Sequence, residues 1–153
     1  MKSKLTVVLV AIAAIVVVLV SVYRPFGQEA AAADVIVYKD PQCGCCGKWV
    51  EHLRNSGFTV KTYDELRLDK IKSANGLPIE LGACHTALVG GYVVEGHVPA
   101  DTIKRLLRER PAIKGIAVAG MPAGSPGMES AHPQPYNVMS FDATGKVEVY
   151  ERH

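Results

Sequence analysis

Three of the four cysteines of this chain lie within four consecutive positions, 43 to 46, in the stretch PQCGCCGKW. They follow residues 35–38, a run of β-branched and aromatic residues that is typical of a strand. Apolar residues then recur at helical spacing, beginning with Trp49, and predict a helix over about residues 45–55 with Trp49 in the core. The thiols are therefore expected between a strand and the N-terminus of a helix.

Thiols at a helix N-terminus are favoured in the thiolate form, which attacks disulfides and binds metals. Cys43 and Cys46 form a C-x-x-C pair, the spacing of thiol-disulfide redox motifs. Cys45 is a third thiol, which an oxidoreductase does not need and which invites incorrect disulfides. A purely structural disulfide within residues 43–46 is disfavoured, because the small loop that it would close restricts the unfolded chain only slightly. Metal binding and disulfide exchange both remain open.

The rest of the pattern predicts an α/β fold in the order β-α-β-α-β-β-α, a thioredoxin-like small mixed sheet flanked by helices. A Gly/Pro-rich loop and a C-terminal β-hairpin are expected to follow. In the second helix, Leu66 and Ile71 are expected to point inward. The predicted elements are strand 35–38, helix 45–55, strand 58–63, helix 64–76, a hairpin of strands 86–89 and 92–96, a helix between Pro99 and Pro111, a loop over 116–135, and strands 137–141 and 146–150.

Cys84 and His85 stand immediately before the third predicted strand. In a thioredoxin-like arrangement this position faces the first cysteine cluster, so four sulfurs and one imidazole are expected to converge. Soft thiolates with imidazole select Cu(I), Zn(II) or iron–sulfur chemistry. The adjacent Cys45 and Cys46 fit bridging between several copper ions better than a single tetrahedral zinc ion, so copper is favoured.

Five other soft or imidazole side chains are weaker candidates. Met121 and Met128 lie in the Gly/Pro-rich loop, which could fold over the site, but packing is favoured over ligation. His132 is expected on the surface of the same loop. His52 is expected on the polar face of the first helix, and His97 in a cap or turn.

Residues 1–33 are expected to form a signal peptide or an N-terminal membrane anchor. Two lysines precede an apolar run over residues 5–22, and the alanines at 30–33 offer a cleavage signal. The run is just long enough to cross a bilayer as a helix, so an uncleaved anchor remains open. Basic residues before the run stay in the cytoplasm, and residues 34–153 are therefore expected as one metal-binding domain in the periplasm or outside the cell.

The charge balance limits the possible partners. The net charge is +2 and no run of Lys and Arg occurs, so nucleic-acid binding is not expected. Membrane contact is expected only through residues 1–33.

The sequence resembles the exported CopG-type copper-resistance proteins, long catalogued as a domain of unknown function. The resemblance rests on YKDPQCGCCGKWVEHL, ACHTALVGGYVVEGHVPADTIKRLL and GMPAGSPGMES, which lie between residues 38 and 130, and it extends over nearly all of residues 34–153. It implies a thioredoxin-like fold, a periplasmic or tethered location, and copper held by the C-x-C-C cysteines and the later Cys-His pair. The ligands implied are Cys43, Cys45, Cys46, Cys84 and His85.

Two functions follow as expectations. In the favoured one, the protein is a metal-binding module that sequesters or redox-cycles copper on a Cu(I) site of more than one ion, alongside other exported copper-handling proteins. In the alternative, it is a thiol-disulfide oxidoreductase that uses Cys43 and Cys46. The third thiol and Cys84 are needed only by the first.

Overall fold

The structure is a computed structural model that describes residues 35–153. The predicted signal peptide or anchor, residues 1–33, lies outside the described residues and stays a prediction. Within residues 35–153, every helix is too short or too polar to span a bilayer.

Within the described part of the chain, seven strands form one mixed sheet in the order β2-β1-β3-β4-β5-β6-β7, accompanied by three α-helices and one 3₁₀ turn. The elements are β1 Val35–Lys39, α1 Gly44–Asn55, β2 Val60–Asp64, α2 Leu68–Ala74, the 3₁₀ turn Ile79–Leu81, β3 His85–Val89, β4 Tyr92–Glu95, α3 Ala100–Glu109, β5 Gly115–Ala117, β6 Asn137–Phe141 and β7 Val147–Arg152. This confirms the predicted α/β class and the order of the first seven elements.

The strand pairings agree with the sequence pattern at both ends of the domain. Strands β1 and β2 are parallel, whereas β3 and β4 form the predicted antiparallel hairpin. The C-terminal hairpin of β6 and β7 is also present.

One strand was not predicted, because the sequence pattern placed residue 116 in an irregular loop. Strand β5 pairs parallel with β4 and antiparallel with β6, so it joins the C-terminal hairpin to the central sheet. Its three residues, Gly-Ile-Ala, are too few to display an alternating pattern. The loop prediction is therefore wrong for Ile116 and Ala117.

The second helix is shorter than predicted, and Leu66 does not point inward. Asp64 still pairs with Lys39 at the end of β2, and the N–H of Arg67 donates to the Glu65 carboxylate at 2.8 Å, so the chain turns before α2 begins. Leu66 lies in this turn and its side chain is 80% exposed. Gly76 follows the helix with a positive φ of 69°, as expected of a helix-terminating glycine.

The two faces of the sheet carry separate cores, because successive strand residues point to opposite sides. Helices α1 and α3 cover one face, where Trp49 and Leu53 meet Ile103 and Leu106. The opposite face carries a smaller cluster built from Leu81, Val93, Ala117 and Phe141. The buried side chains of Trp49, Val50 and Leu53 hold α1 against its face of the sheet, which fixes the position of its N-terminal cysteines.

Candidate metal centre

The first turn of α1 presents the C-x-C-C cysteines, as the sequence predicts. Asp40 begins the turn: its carboxylate accepts the N–H of Gln42 at 2.7 Å and its carbonyl accepts the N–H of Cys43 at 3.1 Å. Cys43 is the N-cap residue, and Cys45 and Cys46 lie in the first helical turn. The free N–H groups of that turn favour negative charge on sulfur.

The antiparallel register of β1 and β3 brings the fourth cysteine to the same place. Lys39, the last residue of β1, lies opposite His85, the first residue of β3. The residue before β3, Cys84, therefore lies beside the point where the chain leaves β1 for α1. This register explains the predicted meeting of Cys84 with the cluster.

The four sulfur atoms converge. The Sγ atoms of Cys46 and Cys84 are 3.3 Å apart, and those of Cys43 and Cys45 are 3.4 Å apart. All four lie within 4.8 Å of one another. Cys46 is buried and the other three are half-buried, so the cluster is partly shielded but reachable.

Cys43 and Cys46 form a disulfide, which leaves Cys45 and Cys84 as free thiols. This pairing fits the C-x-x-C interpretation of the sequence. A site that uses all four sulfurs as thiolates would require two electrons and the opening of this bond.

Cys84 lies in a setting that opposes ionisation. Burial, followed by the nearby sulfur of Cys45, raises the pKa of the Cys84 thiol to about 12. Without metal, Cys84 is therefore a neutral thiol at neutral pH. A metal ion that binds its sulfur must displace a proton.

His85 lies where the sequence predicts, next to Cys84. Its Nδ1 is 3.8 Å from the Cys84 Sγ, and its ring lies 4.3 Å from the ring centre of Trp49. The side chain is fully buried, and burial lowers the pKa of its imidazole to about 3. His85 is therefore neutral, the form in which imidazole binds metals.

His97, for which the sequence favours a role in a cap or turn over ligation, lies in a bend that brings its ring to Cys84. It is fully buried, with its Nε2 3.5 Å from the Cys84 Sγ. The strand pairing explains this position. Thr86 pairs with Glu95, so the residues just before β3 and just after β4 lie at the same end of the hairpin. A histidine two positions after β4 is therefore brought beside Cys84.

Glu95 supports the segment that carries Cys84. This fully buried carboxylate accepts the N–H of Ala83 at 2.6 Å and the hydroxyl of Thr86 at 2.7 Å. It also pairs with Lys72 of α2. Burial raises the pKa of Glu95, while Lys72 opposes that rise. The network fixes the backbone on both sides of Cys84.

The Gly/Pro-rich loop does fold over the cysteines. A Cβ on Gly127 would lie 2.9 Å from the carbonyl oxygen of Cys45, so the loop backbone contacts α1 directly. The Sδ of Met121 lies 3.8 Å from the Cys45 Sγ, although Met121 is 53% exposed. Beside this contact lies an open cavity of about 520 Å³, which is lined by Gly44, Cys45, Lys48, Ala123, Gly127, Met128, Glu129 and Ser130.

The two remaining candidate histidines lie away from the sulfur atoms. His132 is exposed on the loop, as expected. The surface prediction for His52 is wrong: it is half-buried, and its Nε2 accepts the N–H of Ala100 at 3.1 Å, at the first residue of α3. His52 thus satisfies one of the free N–H groups of that helix.

The fold and the site define a mixed α/β protein with a clustered-cysteine site suited to a soft metal ion. The family described as "Protein of unknown function, DUF411" matches residues 81–128. A comparison with curated proteins gives no match.

Two solved structures are similar over most of their length. One, "Copper resistance protein copG- Form 2", is 41% identical with a TM-score of 0.75, covering 79% of this chain and 98% of the other. The other, "Copper resistance protein copG- Form 1", is 41% identical with a TM-score of 0.75, covering 78% and 96% respectively. The chain belongs to the CopG copper-resistance family, as its sequence motifs indicate.

Proposed function

We propose that this protein is an exported copper-binding protein that contributes to copper resistance by holding Cu(I) on Cys43, Cys45, Cys46 and Cys84. The observation that carries the proposal is the convergence of four sulfur atoms within 4.8 Å. Its membership of a copper-resistance family supports the choice of metal.

The donor set fits Cu(I). Thiolate sulfur is a soft ligand that selects Cu(I), whereas Ca²⁺ and Mg²⁺ require clustered oxygen ligands. Within residues 35–153, both groups of candidate metal ligands contain only cysteine and histidine. The neighbouring Cys45 and Cys46 favour sulfur bridges between ions, so the site holds more than one Cu(I).

The same sulfurs can also accept and return electrons. Two Cu(I) ions that each release one electron would break the Cys43–Cys46 bond, giving two thiolates and two Cu(II) ions. The reverse transfer restores the disulfide and two Cu(I) ions. The disulfide supports this redox cycling as a second use of the site beside sequestration.

The proposed location is the periplasm or another compartment beyond the cytoplasmic membrane. The support is the sequence of residues 1–33, with its basic start and apolar run. Such compartments are oxidising, so the disulfide is the resting state expected there.

The test is a Cu(I) titration of the purified full-length protein, fully reduced and without oxygen, with bound metal measured by elemental analysis. We expect more than one Cu(I) per chain and proton release, with no uptake of Ca²⁺ or Mg²⁺. The control is the same protein with its Cys43–Cys46 disulfide intact, which should bind less Cu(I). Equal uptake by reduced protein and by protein with every thiol alkylated would overturn the proposal.

Thiol-disulfide exchange is the second candidate, and the Cys43–Cys46 disulfide favours it. In this function Cys43 and Cys46 carry attack and resolution, and copper is incidental. Reduction of insulin disulfides by the reduced protein, dependent on Cys43 and Cys46 alone, is the outcome expected of this alternative.

A further inference from the structure

The Cys43–Cys46 disulfide lies between the two free thiols of the cluster. The Sγ of Cys45 is 3.4 Å from the Sγ of Cys43, and the Sγ of Cys84 is 3.3 Å from the Sγ of Cys46. Each sulfur of the disulfide therefore contacts one free thiol. A thiolate in contact with a disulfide sulfur can attack it, so the disulfide bond is positioned to move within the cluster.

Cys45 is the free thiol better placed to begin such an exchange. It lies in the first turn of α1, whose unpaired N–H groups favour the attacking thiolate form, and it borders the open cavity beside the loop. Attack of Cys45 on Cys43 would form a Cys43–Cys45 bond and release Cys46 as a thiolate. This step moves one bond and neither gains nor loses electrons.

The exchange would leave Cys46 and Cys84 as the two free thiols, and their sulfurs are already in contact. A second disulfide then requires only that this pair give up two electrons and two protons. An external disulfide can accept both and leave as two thiols. Because the two cysteines are held by separate elements of the fold, the reaction inside the folded chain is favoured over pairing with another molecule.

We propose that the metal-free cluster has a second oxidised form with two disulfides, Cys43–Cys45 and Cys46–Cys84. It is reached by exchange inside the cluster followed by oxidation of the remaining pair. The Cys46–Cys84 bond would join α1 to the start of β3, two segments that the Cys43–Cys46 bond leaves unlinked. The proposal goes beyond the proposed function and requires no copper.

The two-disulfide form would act as a redox switch on the cluster. It leaves no thiol for a soft metal ion, whereas the one-disulfide form keeps Cys45 and Cys84 free. Reduction by a dithiol would return all four cysteines. This consequence for metal uptake rests on the proposed function, whereas the pairing of the sulfurs does not.

The test treats metal-free, full-length wild-type protein, in the one-disulfide form, with oxidised glutathione. We expect the intact mass to fall by two hydrogen atoms with no glutathione attached, and both free thiols to become resistant to alkylation. Tandem mass spectrometry of the digested protein then gives the pairing. A backbone cut between Cys45 and Cys46 should separate the cross-linked peptides, because each proposed disulfide lies wholly on one side of that cut.

Two results on wild-type protein would overturn the proposal. One is a Cys43–Cys46 bond that survives and holds the two sides of the cut together, with Cys45 bonded directly to Cys84. The other is a protein that keeps its single disulfide and carries glutathione on Cys45 or Cys84. Neither result depends on the folding of a variant.

A matched pair of double variants tests the contact that carries the second step. Cys43→Ser/Cys45→Ser keeps Cys46 with Cys84, whereas Cys43→Ser/Cys46→Ser keeps Cys45 with Cys84. With oxidised glutathione, the first should close an internal disulfide roughly tenfold faster or more, since its two sulfurs are already in contact. Equal rates in two folded variants would contradict the proposed pairing.

Copper uptake separates this proposal from the proposed function. Protein in the two-disulfide form should bind no Cu(I) at the cluster, and a dithiol reductant should restore binding. If fully reduced protein binds no Cu(I) while the mapped pairing is as expected, the proposed function fails and the two-disulfide form stands. If reduced protein binds Cu(I) but only the Cys43–Cys46 bond ever forms, the reverse holds.

Discussion

The sulfur atoms of Cys46 and Cys84 lie 3.3 Å apart although 38 residues separate them in the chain. Cys46 is fixed by the first turn of α1, and Cys84 by its position directly before β3. Neither segment alone carries all four cysteines of the cluster. The contact therefore makes Cys84 the residue on which the two candidate functions differ most.

The first prediction compares Cys84→Ser with Cys45→Ser. If copper binding is the function, each change removes one ligand from a shared cluster, and Cu(I) capacity and copper tolerance should fall about equally in both. Capacity is measured by elemental analysis of folded, fully reduced protein. This is necessary because each variant has one thiol fewer than wild type and would therefore form fewer incorrect disulfides if it were oxidised. Disulfide exchange instead needs only Cys43 and Cys46.

One combination of results would contradict copper binding as the function. Full copper capacity in Cys84→Ser, together with insulin reduction that survives this change and is lost in Cys43→Ser, would favour the oxidoreductase. The two assays use the same preparations, so differences in folding affect both alike.

The second prediction concerns the buried pair of Lys72 and Glu95. Lys72→Met leaves the Glu95 carboxylate buried without its charge partner, and the free energy of unfolding should fall by about 3 kcal/mol. Adding Glu95→Gln to this variant removes the uncompensated charge while an amide oxygen can still accept the N–H of Ala83. The double variant should therefore be more stable than Lys72→Met alone.

Urea unfolding of the three proteins, wild type, single variant and double variant, gives the comparison. A double variant that is less stable than Lys72→Met would show that the charge pair is not what holds the segment before Cys84. The measurement is made without metal, so it reports only on the fold.

The sequence predicts those features that depend on local pattern. The strand and helix around the C-x-C-C motif follow from β-branched and helical periodicity, and the position of Cys84 follows from the strand after it. The features missed depend on long-range pairing. His97 reaches the site only because β3 and β4 pair in one register, and His52 reaches α3 only because α1 and α3 share a face of the sheet. Strand β5 is stabilised by its two neighbours rather than by its own three residues.

The third prediction concerns the loop over the site and compares Gly127→Ala with Gly120→Ala. Both glycines have positive φ angles, 84° and 70°, so both changes strain the backbone by about 1 kcal/mol. Only at Gly127 would the new methyl group meet α1, at 2.9 Å from both the Cys45 oxygen and the Trp49 nitrogen, whereas nothing lies within 4 Å at Gly120.

We therefore expect Gly127→Ala to cost a further 1–3 kcal/mol, roughly the penalty of overpacking, and to expose Cys45 by moving the loop outward. Urea unfolding measures the first effect, and the rate of Cys45 alkylation, read by mass spectrometry, measures the second. Equal behaviour of the two variants would mean that the loop does not rest on α1 in solution.

The last prediction concerns stability below neutral pH and the cap that His52 provides for α3. Burial lowers the pKa of the His52 imidazole from its ordinary value of 6.5, although the carboxylates of Asp101 and Glu129 oppose the shift. Only the neutral ring can accept the N–H of Ala100 at Nε2.

The direction of the pH effect follows from the lowered pKa. Above about pH 6.5 the ring is neutral in the folded and the unfolded chain, so the contribution of His52 to stability is fully present. As the pH falls below this value, the unfolded chain takes up the proton first, and stability is lost until the pH has passed the lower pKa of the folded state.

His52→Ala should be less stable at pH 8 by about 1 kcal/mol, the usual cost of losing a capping acceptor. It should also lose less stability than wild type on acidification, because one titrating group is absent. Urea unfolding of metal-free protein at pH 8, 6 and 5 tests both statements, with His132→Ala as the exposed control. Parallel stability curves for wild type and His52→Ala would show that the ring does not titrate with folding, and that the contact with Ala100 is not a cap.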